Sequence, residues 1–207
     1  MSCANWPRIA WARPRFRVPK VAAADCEQRL AIIGAGMSGA RLAQQALMAG
    51  RRVKLEDLLT GSLRRARGVM EQGFARAVEQ GRYPPDQVQA AWPRLEWFTD
   101  IEAAVADADI IIDATPESLE NKQEILLILD RMAPPAAHIL ILIESLRLSE
   151  LAGVTYRASH CAGLRLGYST AEIICSHETA AGTATAAAEL VRQLGYTINI
   201  THESLRF

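Results

Sequence analysis

The clearest chemical pattern in the sequence is a glycine-rich loop followed at a set distance by a carboxylate. Residues 34–39 read G-A-G-M-S-G, a G-x-G-x-x-G pattern that directly follows the apolar run 30–33 and opens a helical stretch. Asp57 ends the next apolar segment and lies 23 residues after Gly34, close to the offset of about 20 typical of dinucleotide-binding loops. The pattern predicts a βαβ unit that binds a dinucleotide, and a glycine-rich turn with a purely structural role is the weaker alternative.

Each position of the loop has a physical task in this interpretation. Gly34 allows the tight turn out of the strand, Gly36 lets a pyrophosphate approach the backbone, and Gly39 lets the helix pack closely on the strand. The N–H groups of the first helical turn, at Met37 and Ser38, face the phosphates, and the helix dipole adds positive potential there. The loop is therefore the predicted phosphate site.

Asp57 predicts the type of dinucleotide. A carboxylate at the tip of the second strand accepts hydrogen bonds from the ribose hydroxyls of an adenosine and repels a 2′-phosphate. The sequence therefore favours NAD over NADP, although the neighbouring Arg51 and Arg52 weaken that preference slightly.

Composition excludes several classes of protein. The chain has 207 residues, of which 50% are apolar, and its 23 basic and 23 acidic residues leave no net charge. We therefore expect neither a nucleic acid nor a membrane as partner, and no apolar run reaches the roughly 20 residues that span a bilayer. The four cysteines lack C-x-x-C spacing and indicate reduced thiols in a cytoplasmic protein. The four histidines show no metal-ligand spacing, so we expect no metal.

Strands alternate with helices along most of the chain. This order predicts an α/β fold, a Rossmann-type doubly wound and mostly parallel sheet in a single domain covering residues 29–207. Residues 1–28 differ, since basic residues and prolines precede any acid, and we expect a loosely ordered basic N-terminal extension. The loops after Ile33, Asp113 and Ile143 should line the ligand cleft, because ligands lie beyond the carboxyl ends of parallel strands.

Two loops and one pair of strands carry further candidates. Glu117 and Lys122 follow the fourth strand, and by spacing alone helix capping and solvation explain these two residues better than a cofactor role. Glu144 with Ser145 follows the fifth strand, where a capping serine and an exposed glutamate are the structural alternative. His160 and Glu172 fall at or near two successive strands, predicted near 156–161 and 171–175, and an imidazole held by a carboxylate is a standard general base. The pattern alone favours an ordinary structural histidine.

The sequence resembles the NAD-binding domain of the 3-hydroxyacyl-CoA dehydrogenase family. The resemblance rests on IIGAGMSG, on the strand ending KLED, on DADIIIDATPESLENK and on APP before a strand, in that order, and it covers about residues 30–200. The family includes 3-hydroxybutyryl-CoA dehydrogenases, carnitine dehydrogenase and the lambda-crystallin/gulonate dehydrogenase branch. The resemblance implies an NAD-dependent oxidoreductase that moves hydride between NAD and a 3-hydroxyacyl thioester, on CoA or a carrier protein, or a related 3-hydroxy acid.

The resemblance also implies roles for single residues. Glu117 and Lys122 match family positions close to the nicotinamide half of the cofactor. The family's catalytic histidine and its glutamate stand twelve residues apart, as His160 and Glu172 do. His160 would then take the hydroxyl proton with support from Glu172. Glu144 falls where the family has a serine that contacts substrate, so Glu144 or Ser145 would orient the substrate.

Several family features are missing from the sequence. The Asn and Pro of the family's H-F-F-N-P motif are absent after His160, and the family's helical dimerisation domain has no counterpart before Phe207. We therefore expect a homo-oligomer or a partner chain to complete the substrate site. Two alternatives stay open: a catalytically degenerate NAD-binding module with a regulatory role, and an FAD-binding Rossmann domain, because IIGAGMSG also begins flavoproteins.

Overall fold

The computed structural model describes residues 28–203, so the predicted basic extension lies, except for Gln28, outside the described residues. The strands are β1 (Leu30–Ile33), β2 (Val53–Glu56), β3 (Leu95–Phe98), β4 (Ile110–Asp113), β5 (His138–Leu142), β6 (Cys161–Leu166), β7 (Thr170–Cys175) and β8 (Thr197–His202). The helices are α1 (Met37–Met48), α2 (Thr60–Glu79), α3 (Pro85–Ala91), α4 (Ile101–Val105), α5 (Leu119–Met132), α6 (Leu148–Ala152) and α7 (Ala181–Gln193). Short 3₁₀ turns cover Trp92–Arg94 and Ala158–His160.

All eight strands form one sheet in the order β3-β2-β1-β4-β5-β6-β7-β8. Every neighbouring pair is parallel except β6 and β7, which pair antiparallel. The strand order reverses between β1 and β4, and a sheet of this kind binds ligands beyond the carboxyl ends of the strands at such a point. The predicted Rossmann-type, mostly parallel sheet is confirmed.

The core consists of two layers, one on each face of the sheet. One layer packs α1, α2, α3 and α7 against the sheet, and the other packs α4, α5 and α6. Because both faces are covered, the central strands β1 and β4 are near-continuous apolar runs rather than alternating ones, with Asp113 at the end of β4 as the exception. Leu30–Ile33 and Ile110–Ile112 are accordingly buried throughout.

The strand predicted near 156–161 begins only at Cys161. The chain before it is held by side chains instead of strand pairing. Arg157 donates to the carbonyls of Ala133 and Pro134 just beyond α5, and Thr155 donates to Asp130. These bonds favour a 3₁₀ turn over an extended segment, and the turn places His160 before the first residue of β6.

The junction of β1 and α1 depends on two glycines. Gly34 has a φ of +97°, a left-handed conformation that favours glycine. Gly39 faces the turn so closely that an added Cβ would lie 1.9 Å from the carbonyl oxygen of Gly34. The turn and the first helical turn are therefore in direct backbone contact, as the sequence pattern predicts.

We expect Gly39→Ala to destabilise the fold by about 3 kcal/mol, because the backbone has to move to admit the methyl group. Gly68→Ala is the matched control, since Gly68 lies inside α2 and an added Cβ there meets no atom of residues 28–203 within 4 Å. That change should stabilise the protein by roughly 0.5–1 kcal/mol through helix propensity. Urea unfolding followed by circular dichroism measures both, and a Gly39→Ala protein as stable as the wild type would contradict the packing described.

Candidate functional site

A cleft of about 1050 Å³ lies at the carboxyl ends of the central strands. Its walls include the loops after β1, β2, β4 and β5, among them Gly34, Asp57, Ala114 and Glu144. The prediction that the loops after Ile33, Asp113 and Ile143 line the cleft is therefore confirmed. The volume is just above the range of about 300–1,000 Å³ usual for ligand and cofactor sites.

The glycine loop offers a place for a phosphate group. The helix α1 begins at Met37, its N-cap residue is Gly36 and its first turn contains no acid. In the described part of the chain no side chain caps this turn, so its first N–H groups are available to an anion. Met37 and Ser38 are exposed and line the cleft. An added Cβ on Gly36 would meet no described residue within 4 Å, so open space faces the backbone there. The loop fits a pyrophosphate.

Asp57 joins the end of β2 to this loop. Its Oδ2 accepts a hydrogen bond of 3.0 Å from the N–H of Ala35, and its Oδ1 accepts one of 3.0 Å from the N–H of Leu59. The half-buried carboxylate lines the cleft. An ionised carboxylate has about four acceptor positions, so Asp57 keeps capacity for the hydroxyls of a ribose.

A second acid beside Asp57 lines the cleft. Glu56 is only 5% exposed, and burial raises the pKa of its carboxyl to about 7, with further contributions from the charges of Asp57 and Asp100. Residue spacing alone does not mark Glu56 as a site residue. The available signal was an acid as the last residue of a strand buried on both faces, directly before another acid.

The exit of β4 rests on a buried ion pair. Lys122 Nζ lies 3.1 Å from Asp113 Oδ2, and neither side chain has any exposure. Lys122 also donates to the carbonyl of Thr115, whose N–H donates back to Asp113. Lys122 is therefore beneath the loop that the resemblance placed near the nicotinamide, and it supports that loop from inside.

Glu117 does line the cleft, and it holds the loop after β5. Its two carboxylate oxygens accept hydrogen bonds from the N–H groups of Glu144, Ser145 and Leu146, at 3.0, 2.7 and 2.8 Å, and from the Ser145 hydroxyl at 3.1 Å. Desolvation opposes ionisation, but these hydrogen bonds lower the pKa of Glu117. Consecutive N–H groups of this kind form an anion-binding concavity, here filled by a side chain of the protein itself.

Arg165, and not His160, faces Glu172. The two are direct partners in the antiparallel ladder of β6 and β7, and Arg165 Nη1 forms an ion pair with Glu172 Oε2. Arg165 Nε donates to the carbonyl of Glu144 at 3.1 Å, and Glu172 Oε1 accepts from Thr201 at 2.9 Å. Arg165 also lines a second, polar cavity of about 540 Å³ together with Ser145 and Glu172.

The structure corrects the predicted pair of His160 and Glu172. His160 precedes β6 at the amino end of the parallel strands, where its ring lies 5.6 Å from that of His138. His160 lies five positions before Arg165, and the strand residues from Cys161 to Arg165 alone span about 13 Å at 3.3 Å per residue, so His160 is at the far end of β6 from the cleft rim. His160 and Glu172 are twelve positions apart but are not cross-strand partners, because Glu172 pairs with Arg165, seven positions before it.

His160 and His138 form a cluster of their own. His160 Nδ1 is buried and has no hydrogen-bond partner among residues 28–203, and His138 Nδ1 is 3.1 Å from the Thr183 hydroxyl. Burial, and then the neighbouring His160, lower the pKa of His138. The two histidines therefore pack together at the amino ends of the parallel strands, the end of the sheet opposite the cleft.

Within residues 28–203, no group of three or more His, Cys, Asp or Glu side chains is arranged to hold a metal ion. The same part of the chain contains no helix of the length and apolar character that crossing a bilayer requires. Cys161 and Cys175 are both buried free thiols.

Comparison with known proteins identifies the cofactor domain. The family described as 3-hydroxyacyl-CoA dehydrogenase, NAD binding domain, matches residues 29–202. The 3-hydroxyadipyl-CoA dehydrogenase of Escherichia coli (strain K12) is 31% identical over 167 residues, which are 81% of this chain and 34% of that protein. A probable 3-hydroxybutyryl-CoA dehydrogenase of Bacillus subtilis (strain 168) is 29% identical over 137 residues, 66% of this chain and 47% of its own.

Solved structures agree with this match. The crystal structure of 3-hydroxybutyryl-CoA dehydrogenase from Escherichia coli K12 superposes with a TM-score of 0.80 at 27% identity, over 84% of this chain and 38% of that one. The (S)-3-hydroxybutyryl-CoA dehydrogenase from Ralstonia eutropha shares the fold with a TM-score of 0.82 at 23% identity, over 86% and 64%. The chain spans about a third to two thirds of the length of these proteins.

The raised pKa of Glu56 predicts a pH-dependent cost in stability. The folded state holds this proton up to about pH 7, whereas the ordinary value is 4.5, so stability falls as the pH rises through that window. Glu56→Gln should remove the loss and be more stable than wild type by on the order of 1 kcal/mol at pH 8, less than the full shift because water in the cleft screens the charge.

Urea unfolding of both proteins from pH 4 to 8 measures the difference. The two curves should approach each other at the acidic end. A difference that does not change with pH would show that Glu56 ionises normally in the folded protein.

Proposed function

The chain belongs to the 3-hydroxyacyl-CoA dehydrogenase family, as its NAD-binding domain, and on that premise we propose that it serves in an NAD-dependent oxidoreductase. The reaction would transfer hydride between NAD and a 3-hydroxyacyl thioester, on CoA or a carrier protein, or a related 3-hydroxy acid. The observation that carries the proposal is the open space at Gly36 before the uncapped first turn of α1, with Asp57 at its edge.

The residues of the cleft fit NAD part by part. Residues 34–39 would hold the pyrophosphate, and Asp57 would accept from the adenosine ribose. Glu117 and the loop it fixes, with Glu144 and Ser145, are on the β4 and β5 side, where the resemblance expects the nicotinamide half. NAD supplies the hydride-accepting ring when bound; the protein supplies position and the group that exchanges the proton.

A specific observation favours a second candidate, an NAD-binding module without catalysis. Arg165 occupies the position opposite Glu172, and a guanidinium remains protonated, so it cannot act as a general base. His160, the base expected from the resemblance, lies at the amino ends of the parallel strands, opposite the end where the cleft is. The FAD-binding alternative has no support from the family, whose cofactor is NAD.

We also propose that a second copy or a partner chain covers the cleft, and that the protein is cytoplasmic. Large apolar side chains are exposed at its rim, with Met37, Leu58 and Leu59 between 63% and 79% accessible. Contact with another chain would remove this surface from water. The free thiols of Cys161 and Cys175 are compatible with a reducing compartment.

NADH should bind more tightly than NADPH, because the Asp57 carboxylate repels a 2′-phosphate. Asp57→Asn keeps an acceptor for the N–H of Ala35 but removes the charge, and it should shift the preference toward NADPH by about tenfold, or roughly 1.4 kcal/mol. Fluorescence titration with both nucleotides measures this. Equal affinities for the two nucleotides in the wild type would contradict the role given to Asp57.

Turnover distinguishes the two candidate functions. The wild-type protein should form NADH from NAD and at least one member of a panel of 3-hydroxyacyl thioesters and free 3-hydroxy acids. His160→Gln should keep kcat within about threefold, because the ring is remote from the cleft. A wild type that binds NADH and turns over none of the panel would support the non-catalytic module, and a collapse of kcat in His160→Gln would refute the geometry.

A further inference from the structure

Most of the acids at the reaction side of the cleft are already engaged. Glu117 accepts four hydrogen bonds from the loop after β5. Glu172 is bound by Arg165 and Thr201, and Asp113 is paired with Lys122. Each of these carboxylates stabilises the protein, and a substrate would have to displace an existing contact to use one of them.

Glu144 is different, because its backbone is fixed while its carboxylate is available. Its N–H donates to Glu117, and its carbonyl accepts from Arg165, so one side chain from the loop after β4 and one from β6 determine its position. Its side chain is exposed, lines the cleft, and has no hydrogen-bond or ion-pair partner among residues 28–203. A carboxylate placed in this way can accept a proton from a ligand.

Arg165 has unused hydrogen-bond donors beside Glu144. A guanidinium has five N–H donors; Nε bonds the Glu144 carbonyl and Nη1 bonds Glu172, and Nη2 has no such bond within the described chain. The side chain is 42% exposed and lines both the cleft and the polar cavity. Arg165 is therefore placed to bind an oxygen atom of a substrate that reaches from one cavity into the other.

We propose that Glu144 is the proton acceptor of the reaction and that Arg165 binds the substrate oxygen that loses the proton. The inference rests on the proposed function. The O–H bond of the substrate alcohol breaks and its proton passes to the Glu144 carboxylate. The C–H bond of the carbon that bears the hydroxyl also breaks, and its hydrogen leaves with both bonding electrons as a hydride that NAD accepts. The alcohol is thereby oxidised to a carbonyl and NAD is reduced to NADH.

Arg165 contributes by donating to that oxygen, which gains negative charge as the proton leaves. Glu172 is a positioning residue in this arrangement, because it holds the guanidinium across the β6–β7 ladder. Glu117 acts in the same way on Glu144, through the backbone. The charged groups facing Glu144 are thus Glu117 from the β4 exit, and Arg165 and Glu172 from the β6–β7 pair.

Chemical rescue separates a proton-transfer role from a structural one. Glu144→Gln and Glu144→Ala should each lose about 10²- to 10⁴-fold in kcat. Added formate should restore part of the rate of Glu144→Ala, where it can occupy the vacated space, and none of the rate of Glu144→Gln. Glu150→Ala, an exposed position on α6, is the matched control and should keep the wild-type rate.

Binding provides the readout that does not depend on turnover. Glu144→Ala should bind NADH as the wild type does, because the glycine loop and Asp57 are unchanged. Calorimetry with acetoacetyl-CoA in the presence of NAD should show about tenfold weaker binding to Arg165→Gln, since a hydrogen bond from a charged donor is lost. Arg165→Lys, which keeps the charge, should lose less.

The outcomes are distinct. Absence of NADH binding in the wild type would refute the proposed function itself. NADH binding without turnover would leave the non-catalytic module and overturn the roles of Glu144 and Arg165. Turnover that survives Glu144→Gln, or a loss in Glu144→Ala that formate does not restore, would overturn the assignment of Glu144 and leave the dehydrogenase proposal standing.

Discussion

The buried ion pair of Lys122 and Asp113 is the contact on which the cleft depends. Two charges without any exposure have a large desolvation cost, which their attraction offsets only when further hydrogen bonds satisfy them. Thr115 supplies those bonds from both its N–H and its carbonyl. The pair therefore fixes α5 against the end of β4 and sets the path of the loop that carries Glu117. Removing one partner would leave an uncompensated buried charge, which costs about 3–5 kcal/mol.

Polar contacts extend from that loop across the rim of the sheet. Glu117 binds the loop after β5, Arg165 on β6 binds the carbonyl of Glu144 in that loop, and Glu172 on β7 holds Arg165. Thr201 on β8 completes the series. Because each member fixes the next, the reaction side of the cleft is organised by the protein alone. Sites organised in this way need less rearrangement when a ligand binds or charge develops.

The cofactor half of the site could be predicted from the sequence because its signals are local. A strand, a glycine turn, a helix start and Asp57 all lie within one βαβ unit, and the structure joins Asp57 to the loop by a direct hydrogen bond. The error at His160 arose from a non-local quantity, the hairpin register of β6 and β7. The short turn between β6 and β7 sets the register that pairs Arg165 with Glu172. The side chains of Arg157 and Thr155, which hold the chain before β6 out of the sheet, contact residues distant in sequence. The burial of Glu56 and Lys122 is also set by tertiary packing, which spacing does not reveal.

The two halves of the cleft are built from different groups, and this difference bears on function. The half assigned to the cofactor uses backbone N–H groups and the space left by glycines, so many side chains are compatible with it as long as the turn forms. The half assigned to the substrate consists of side chains, and its chemistry follows from which ones are present. Here these are a glutamate and an arginine beside a second glutamate, in place of the expected imidazole. A shared fold therefore supports the nucleotide, while the reaction has to be argued from Glu144 and Arg165 themselves.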